Sequence, residues 1–423
     1  MKWAGVADAK PEERWDYAMM SPEKVYDRAT SERGKPVKVS CLQEDLQRAL
    51  GRVSRAVATR TTMPVLSNVW IGSEDGRLKI AATNMEFAVT TRIDANVEVE
   101  GMITVDARLL AEFVNTLPSG QVDLDLDTSR FSLTVRAGRD KAAINGLDAR
   151  DFPVISTIKE EDFSVRIDGQ LFRERISLVE FAAATDESRP VLAGVLTRFE
   201  GEMMVLASAD GFRMAVAEGP MTGADGSPVA TVEERLDVIV PARYYRELAR
   251  LIGDYDGDVT LSVTSQQRQI LARFGDTEWV SQLIDGTFPD VKQIVPKEFS
   301  TRVDVGRDAL LNAVRRASYF ARENNDVIRF AIHNGEDEMT PGSVEVTANA
   351  AERGNSESFV DASIAGSELQ IAFNSRYLAD VLGVLKHGNV MLGMNGANQA
   401  GVVRPSGGDS YSHVIMPMVI GGQ

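Results

Sequence analysis

Cysteine is almost missing from this chain: Cys41 is the only one in 423 residues. A disulfide framework within the chain is thereby excluded, which fits a reducing cytosol. Histidine is nearly as scarce. His333, His387 and His413 lie far apart, and none is near Cys41. No cysteine–histidine zinc site is expected from such a set. There is no GxxxxGK[ST] loop and no GxGxxG after a strand, so the common nucleotide fingerprints are absent. No apolar run approaches ~20 residues, so no transmembrane helix is expected. Met1-Lys2-Trp3-Ala4-Gly5 lacks the apolar stretch of a secretory signal. Nothing marks a nucleophile–histidine arrangement. The expectation is a cytoplasmic protein without catalytic residues, cofactor or metal.

What the chain does have is acid. Its formal charge is −16. Taken alone, that argues against nucleic-acid binding, where a basic footprint is the rule. The informative question is whether the basic residues present are spread evenly or gathered on one surface. Length points to two or three domains rather than one core.

A long-period repeat decides the architecture. Asp106-Ala107-Arg108-Leu109-Leu110 matches Pro241-Ala242-Arg243-Tyr244-Tyr245 and Asn374-Ser375-Arg376-Tyr377-Leu378, spaced by 135 and then 133 residues. Each copy follows a short apolar strand and opens an amphipathic helix. Asp151-Phe152-Pro153 recurs as Thr287-Phe288-Pro289. Met63-Pro64-Val65-Leu66 recurs as Arg189-Pro190-Val191-Leu192. Such a period is too long for a solenoid and is the size of a domain. Three homologous domains are expected at 37–160, 161–298 and 299–423, after an extension at 1–36. Alternating segments such as Val122-Asp123-Leu124-Asp125-Leu126 read as half-buried strands, and Glu74-Asp75-Gly76-Arg77 reads as a hairpin turn. Short turns between strands favour antiparallel sheet, with two helices per domain, so the class is α+β.

The helices carry the positive charge. Leu42 to Ala58 is predicted helical, with Leu46, Leu50, Val53 and Val57 as its buried stripe. Arg48, Arg52 and Arg55 share another face. Ala242 to Ile252 buries Tyr244, Leu248 and Leu251 and lines up Arg243, Arg246 and Arg250 elsewhere. Arg315 and Arg316, Arg173 and Arg175, and Arg376 add to equivalent helices, and Arg108 opens another. Acidic residues such as Asp45 and Glu247 interrupt these faces. Phosphate contacts of this kind are independent of base sequence and sensitive to salt. On the residues alone, an acidic peptide-binding scaffold and an enzyme with a site at a domain junction stay open beside a DNA-embracing protein.

The chain from about Val37 to Met418 resembles the beta subunit of bacterial DNA polymerase III, the beta sliding clamp family. The resemblance lies in Thr62-Met63-Pro64-Val65-Leu66, Asp186-Glu187-Ser188-Arg189-Pro190-Val191-Leu192-Ala193-Gly194, Ala209-Asp210-Gly211-Phe212-Arg213-Met214-Ala215, Asp285-Gly286-Thr287-Phe288-Pro289-Asp290 and Val414-Ile415-Met416-Pro417-Met418. It implies three clamp-type domains per chain and a head-to-tail homodimer closing a six-domain ring around duplex DNA. It also implies a clamp loader that opens the ring, and the polymerase alpha subunit and other factors docking through short peptides.

The pocket implied for those peptides comprises Leu192, Ala209, Gly211, Phe212, Arg213, Met214, Pro289, Gln293, Ile294, Val414, Met416, Pro417 and Met418. Methionine suits a surface that accepts several partners. The DNA-facing set is Arg48, Arg52, Arg55, Arg60, Arg108, Arg173, Arg175, Arg243, Arg246, Arg250, Arg315, Arg316 and Arg376. Of these, Arg60 comes from the resemblance alone. Tyr319 and Phe320 match apolar residues at the ring interface. Two departures stand out: Gln293 replaces a residue that is often basic, and Val419 to Gln423 extend past the usual end. Asp186 and Pro190 stand where some members place DNA-contacting polar and aromatic residues. The extension, Met1 to Pro36, has no counterpart in the family core.

Overall fold

The structure is a computed structural model. It describes residues 37–418 apart from 128, 161, 187, 230, 267, 336–339, 351 and 387. The expectations for the 1–36 extension and for the tail beyond Met418 fall outside these residues.

The alternating pattern becomes antiparallel sheet throughout. In Gln121–Asp127, Val122, Leu124 and Leu126 are buried while Gln121 and Asp123 point to solvent, the period-two signature of a sheet with one covered face. The hairpin predicted at 74–77 forms between Asn68–Glu74 and Arg77–Thr83. Asp75 and Gly76 both take positive φ (52° and 74°), as the twist of a two-residue turn demands.

Among the described residues, six helices of ten residues or more interrupt the strands: α1 Gln43–Val53, α2 Ala107–Thr116, α3 Gly169–Val179, α4 Ala242–Ile252, α5 Arg307–Ala321 and α6 Ser375–Val384. They pack in pairs, α1 with α2, α3 with α4 and α5 with α6. This is the two-helix allotment expected of each repeat. Three of these helices start with a side-chain cap. Asp106 accepts from Leu109 N, Asp168 from Leu171 N, and Asn374 from Arg376 N and Tyr377 N. Each satisfies backbone donors that the helix itself leaves unmet.

The first helix is shorter than predicted. Leu42 belongs to the preceding strand, and α1 ends at Val53. The Ser54 hydroxyl turns back to Gly51 O, a 3-10 turn follows at Ser54–Ala56, and Val57 is extended. Val57 therefore lies beyond the buried stripe, which is Leu46, Ala49, Leu50 and Val53. In α4 the expected stripe holds: Tyr244, Leu248 and Leu251 are buried, joined by Tyr245 and Ile252.

The chain divides into two compact units, 37–81 with 92–152, and 82–91 with 153–418. In the first, Val37–Leu42 pairs with Gln121–Asp127 and Asn96–Val99, and Ser132–Ala137 pairs with Gln121–Asp127 and Asp140–Leu147. Gln43 Nε2 donates to Val114 O at 2.8 Å inside this core, tying α1 to α2.

In the second unit, twelve strands form one sheet. Its order runs from Val232–Pro241 through Gly194–Gly201, Met203–Ala209 and Arg213–Pro220 to Tyr411–Ile415, and onward to Leu369–Asn374. A second layer places Phe163–Asp168, Asp258–Val263, Gln269–Phe274 and Thr277–Gln282 side by side. Fully buried Phe172, Tyr245 and Trp279 fill the space between helices and sheet. The Tyr245 ring meets Phe172 edge-on at 5.8 Å and stacks on Trp279 at 6.1 Å. Its hydroxyl is satisfied by Thr197 at 2.8 Å, as a buried phenol needs. The connector at 155–158 is not a loose tether: Ile155 and Ile158 pack on Ala88, Leu271 and Val280. Among the described residues no helix is long and apolar enough to cross a membrane.

Candidate functional site

The C-terminal strand organises one region of the second unit. Tyr411–Ile415 runs antiparallel to both Gly401–Pro405 and Arg213–Pro220, with Val414 opposite Met214 and Val402. These three residues join Leu196, Ala207, Ala209, Val216, Ile239, Phe288 and Val291 in one buried apolar cluster, with Leu192, Val191 and Ile284 partly buried against it. Stretches far apart in sequence thus share one apolar floor.

A tight turn stands above it. Asp210 accepts hydrogen bonds from Phe212 N and Arg213 N at 2.8 and 2.9 Å. Gly211 takes φ +95°, a conformation L side chains rarely adopt. A side chain there would also sit 3.1 Å from Arg189 Nη1. The turn pushes the Phe212 ring outward, where it is exposed. Beyond Ile415 the chain is pinned twice: Met416 N donates to Phe212 O and Met418 N to Ala372 O, both at 2.8 Å. Pro417 between them has no N–H to satisfy. Met416 is left 47% exposed. Across the floor, Pro289, Gln293 and Ile294 are exposed around the single helical turn Val291–Ile294.

Most of the expected pocket residues fall into two groups, Gly211, Pro417 and Met418 shaping the backbone around them and Arg213 standing apart. Leu192, Ala209, Met214 and Val414 form or abut the floor. Phe212, Pro289, Gln293, Ile294 and Met416 are exposed around it. Sequence reasoning missed Phe288, Val291 and Val402 in the floor and Arg189 beside the turn. Phe288 belongs to the repeated Phe-Pro segment, so its signal was present; Arg189 is the position at which the repeated Pro-Val-Leu segment varies. Val402 had none.

Arg213 plays a different part from the one expected. Its side chain is only 10% accessible. Nε binds Asp210 at 3.1 Å, Nη1 binds Asp380 of α6 at 2.6 Å, and Nη2 donates to Phe181 O at 2.8 Å. The guanidinium lies 4.4 Å from the Tyr377 ring centre and 5.4 Å from that of Phe181. A planar fork stacked between two rings and bound on three sides is a strut. It ties the Asp210 turn to α6.

Below the strut lies His413, fully buried. Phe181 stacks on its ring at 5.5 Å. Nδ1 is 3.4 Å from the Tyr411 hydroxyl. Nε2 has no partner among the described residues. Burial, and secondarily the Arg213 charge, push its pKa down to about 3, so the ring is neutral. The same burial raises the Tyr411 phenol above its ordinary range.

The helix arginines are exposed for the most part but rarely alone. Arg48 pairs with Asp45 at 3.2 Å, Arg108 with Glu112 at 2.7 Å, Arg246 with Glu180 at 2.6 Å, Arg250 with Glu247 at 2.6 Å and Arg376 with Asp326 at 2.9 Å. Arg173 reaches Asp254 at 3.9 Å. Arg243 is held by Glu86, which also accepts from the Tyr244 hydroxyl. Arg52 and Arg55 sit on α1 and the turn after it, the first half-buried and the second exposed. Arg60 and Arg315 are exposed, and Arg316 is exposed with Nε 3.3 Å from Ser358 Oγ.

Arg175 corrects the expectation. It is 6% exposed and its Nη2 donates to Pro220 O at 2.7 Å. It packs against the sheet because α3 turns that side inward, alongside Phe172, Ile176 and Val179. It is not available to a phosphate. Tyr319 is 63% exposed and Phe320 half-buried on the last turn of α5.

Comparison with known proteins covers nearly all of the described chain. Family models of the DNA polymerase III beta subunit match in sequence: the N-terminal domain over residues 37–156, the central domain over 166–290 and the C-terminal domain over 292–419. A beta sliding clamp of Synechocystis sp. is 31% identical over 396 residues, covering 90% of this chain and 99% of that protein. One from Pseudomonas putida is 32% identical over 379 residues, covering 89% and 98%. Among solved structures, a DNA polymerase sliding clamp from Bacillus subtilis superimposes with a TM-score of 0.83 at 25% identity, covering 91% of this chain and all of that one. A DnaN sliding clamp from Pseudomonas aeruginosa bound to griselimycin gives 0.82 at 30% identity, with 91% of this chain and 100% of that chain covered.

Proposed function

Because this chain belongs to the DNA polymerase III beta subunit family, and so is a non-catalytic DNA sliding clamp built of three clamp domains, we propose a specific division of labour among its surfaces. The apolar floor of Leu192, Ala209, Met214 and Val414, bordered by Phe212, Pro289, Ile294 and Met416, receives short linear peptides of the replicative polymerase alpha subunit, of the clamp loader and of other clamp-binding factors. Two copies close head to tail through the region of Tyr319 and Phe320, giving a ring that holds duplex DNA by topology. Domain limits at 37–160, 161–298 and 299–423 fit this arrangement, and the cytoplasm is its place of work.

One observation carries the docking assignment. An aromatic ring and a methionine stand exposed beside a buried apolar floor, and the backbone hydrogen bond from Met416 N to Phe212 O holds them next to each other. Exposed apolar groups over a preformed floor are the usual anatomy of a peptide site. Polar contributions are small there, so affinity rests on apolar burial, at about 1.5–3 kcal/mol for each large side chain covered.

The test is a binding titration with a peptide from the C-terminal region of the cognate polymerase alpha subunit. Phe212→Ala with Met416→Ala should weaken binding at least tenfold and leave the dimer intact by sedimentation. Unchanged affinity removes the docking assignment. Retention on circular duplex, with release after linearisation, tests the ring separately.

A further inference from the structure

The helix faces carry a charge pattern that family membership does not explain. Arg108 and Glu112 face each other one turn apart on α2, and Glu247 and Arg250 do the same on α4. Arg246 and Arg376 reach carboxylates outside their own helices, Glu180 and Asp326. Each of these cations has its counterion built into the same chain. Arg60, Arg315 and Arg316, by contrast, are exposed and enter no ion pair among the described residues; Arg316 meets only the neutral Ser358 hydroxyl.

We propose that the duplex-facing helices are internally charge-compensated, so that the arginines without a counterion, Arg60, Arg315 and Arg316, carry the phosphate grip and the paired arginines contribute little to it. This rests on the reading of these faces as DNA-facing. The physical reason is a balance of counterions. A lone arginine that neutralises a phosphate releases a condensed cation, and log K then falls by about 0.9 for each such contact as log salt rises. An arginine already held by a carboxylate has no net charge to offer. If it swings to a phosphate, the abandoned carboxylate is left beside the phosphate and repels it. An exposed pair is worth only about 0–1 kcal/mol, so it can open transiently, but the exchange gains almost nothing. A surface of such pairs is nearly flat in energy along the duplex, which is the condition for one-dimensional diffusion. The −16 formal charge of the chain is then no obstacle to holding DNA, because little of the hold is electrostatic.

The experiment uses the full-length protein and a fluorescently labelled linear duplex, with binding followed by anisotropy across a salt series. Four variants are compared with the wild type: Glu112→Gln combined with Glu247→Gln, Arg108→Gln combined with Glu112→Gln, Arg315→Gln alone and Arg60→Gln alone. The double carboxylate variant should bind several-fold tighter at low salt. Its salt slope should steepen by about 0.9 per released arginine in each chain. Arg315→Gln and Arg60→Gln should each flatten the slope by a similar amount, and removing the whole pair with Arg108→Gln and Glu112→Gln should leave it unchanged. Equal flattening by the pair removal and by Arg315→Gln overturns the proposal, as does a double carboxylate variant with wild-type affinity and slope. Where the wild type binds too weakly to yield a slope, gain of binding by the double carboxylate variant supports compensation and its absence refutes it. Failure of the DNA-facing reading itself shows up elsewhere, as equal retention of the wild type on circular and linear DNA.

Discussion

Replacing His413 with Phe tests the reasoning about the buried strand under the docking region. In the wild type the ring is fully buried, stacks on Phe181 and has an unpartnered Nε2. An unsatisfied buried nitrogen costs about 1–3 kcal/mol. Phenylalanine removes that cost, keeps the stack, forfeits the long 3.4 Å contact with the Tyr411 hydroxyl and adds a little volume. These effects oppose one another, so stability near neutral pH should change by no more than about 1 kcal/mol.

Acid is where the two proteins part. The His413 pKa is depressed to about 3 when folded, against about 6.5 when unfolded. Its stabilising contribution is therefore complete above pH 6.5. It is lost as pH falls, because only the unfolded chain takes up the proton. The loss runs at about 1.4 kcal/mol per pH unit between 6.5 and 3. Other groups with lowered pKa, such as Asp237 at about 2, act alike in both proteins and cancel in the difference. Urea unfolding of both proteins at pH 7, 6, 5 and 4.5 should show the variant gaining on the wild type by roughly 2–3 kcal/mol across the series. Parallel pH profiles would refute the account of a neutral, desolvated ring. The nearest charge is Arg213, which reinforces the depression, so Arg213→Met should raise the His413 pKa modestly by NMR titration.

Two further substitutions test the frame around the docking region. Gly286 has φ +139° and an added Cβ would lie 2.5 Å from Val191 Cγ2. Gly286→Ala should therefore lose about 1–3 kcal/mol and loosen the Pro190–Ala193 turn. Gly226→Ala, also at positive φ but facing open space, should lose only the backbone cost of ~1 kcal/mol. Equal losses in thermal unfolding would contradict the close-approach argument. Arg213→Lys keeps the charge but not the three-sided fork, and should cost about 2–4 kcal/mol while weakening peptide binding. A loss below ~1 kcal/mol would deny the strut.

The legible part of this fold is what repeats locally. Val122, Leu124 and Leu126 alternate, Tyr244, Leu248 and Leu251 recur at helical spacing, and the Ala-Arg and Phe-Pro segments return at domain intervals. Each is a short-range pattern that survives in one dimension. Arg175 shows where that stops. Its spacing on α3 resembles that of the exposed arginines, and only the approach of Pro220, which lies well downstream, buries it. The carboxylates that hold Arg243 and Arg246 are likewise remote in sequence, at Glu86 and Glu180. A helical wheel shows the cations and hides their partners. In the floor, Leu192 and Val414 were legible only through resemblance and Val291 and Val402 not at all, because these residues share no period. The helix predicted to Ala58 stops early because Ser54 bends back on Gly51, a choice between two local hydrogen bonds that apolar spacing does not register.

The antiparallel pairing of Tyr411–Ile415 with Arg213–Pro220 has a consequence for biosynthesis. The chain emerges from the ribosome N-terminus first, and domains tend to fold in that order. Here the strand that supplies Val414 and leads into Met416 is translated long after its neighbour Arg213–Pro220. Until it emerges, Arg213–Pro220 lacks its partner on that side and the floor lacks a wall. On the docking reading proposed above, a nascent chain cannot hold a peptide there before this strand is in place, so the site matures in one step. A truncation from Tyr411 onward should split the twelve-stranded sheet at an interior position and abolish peptide docking.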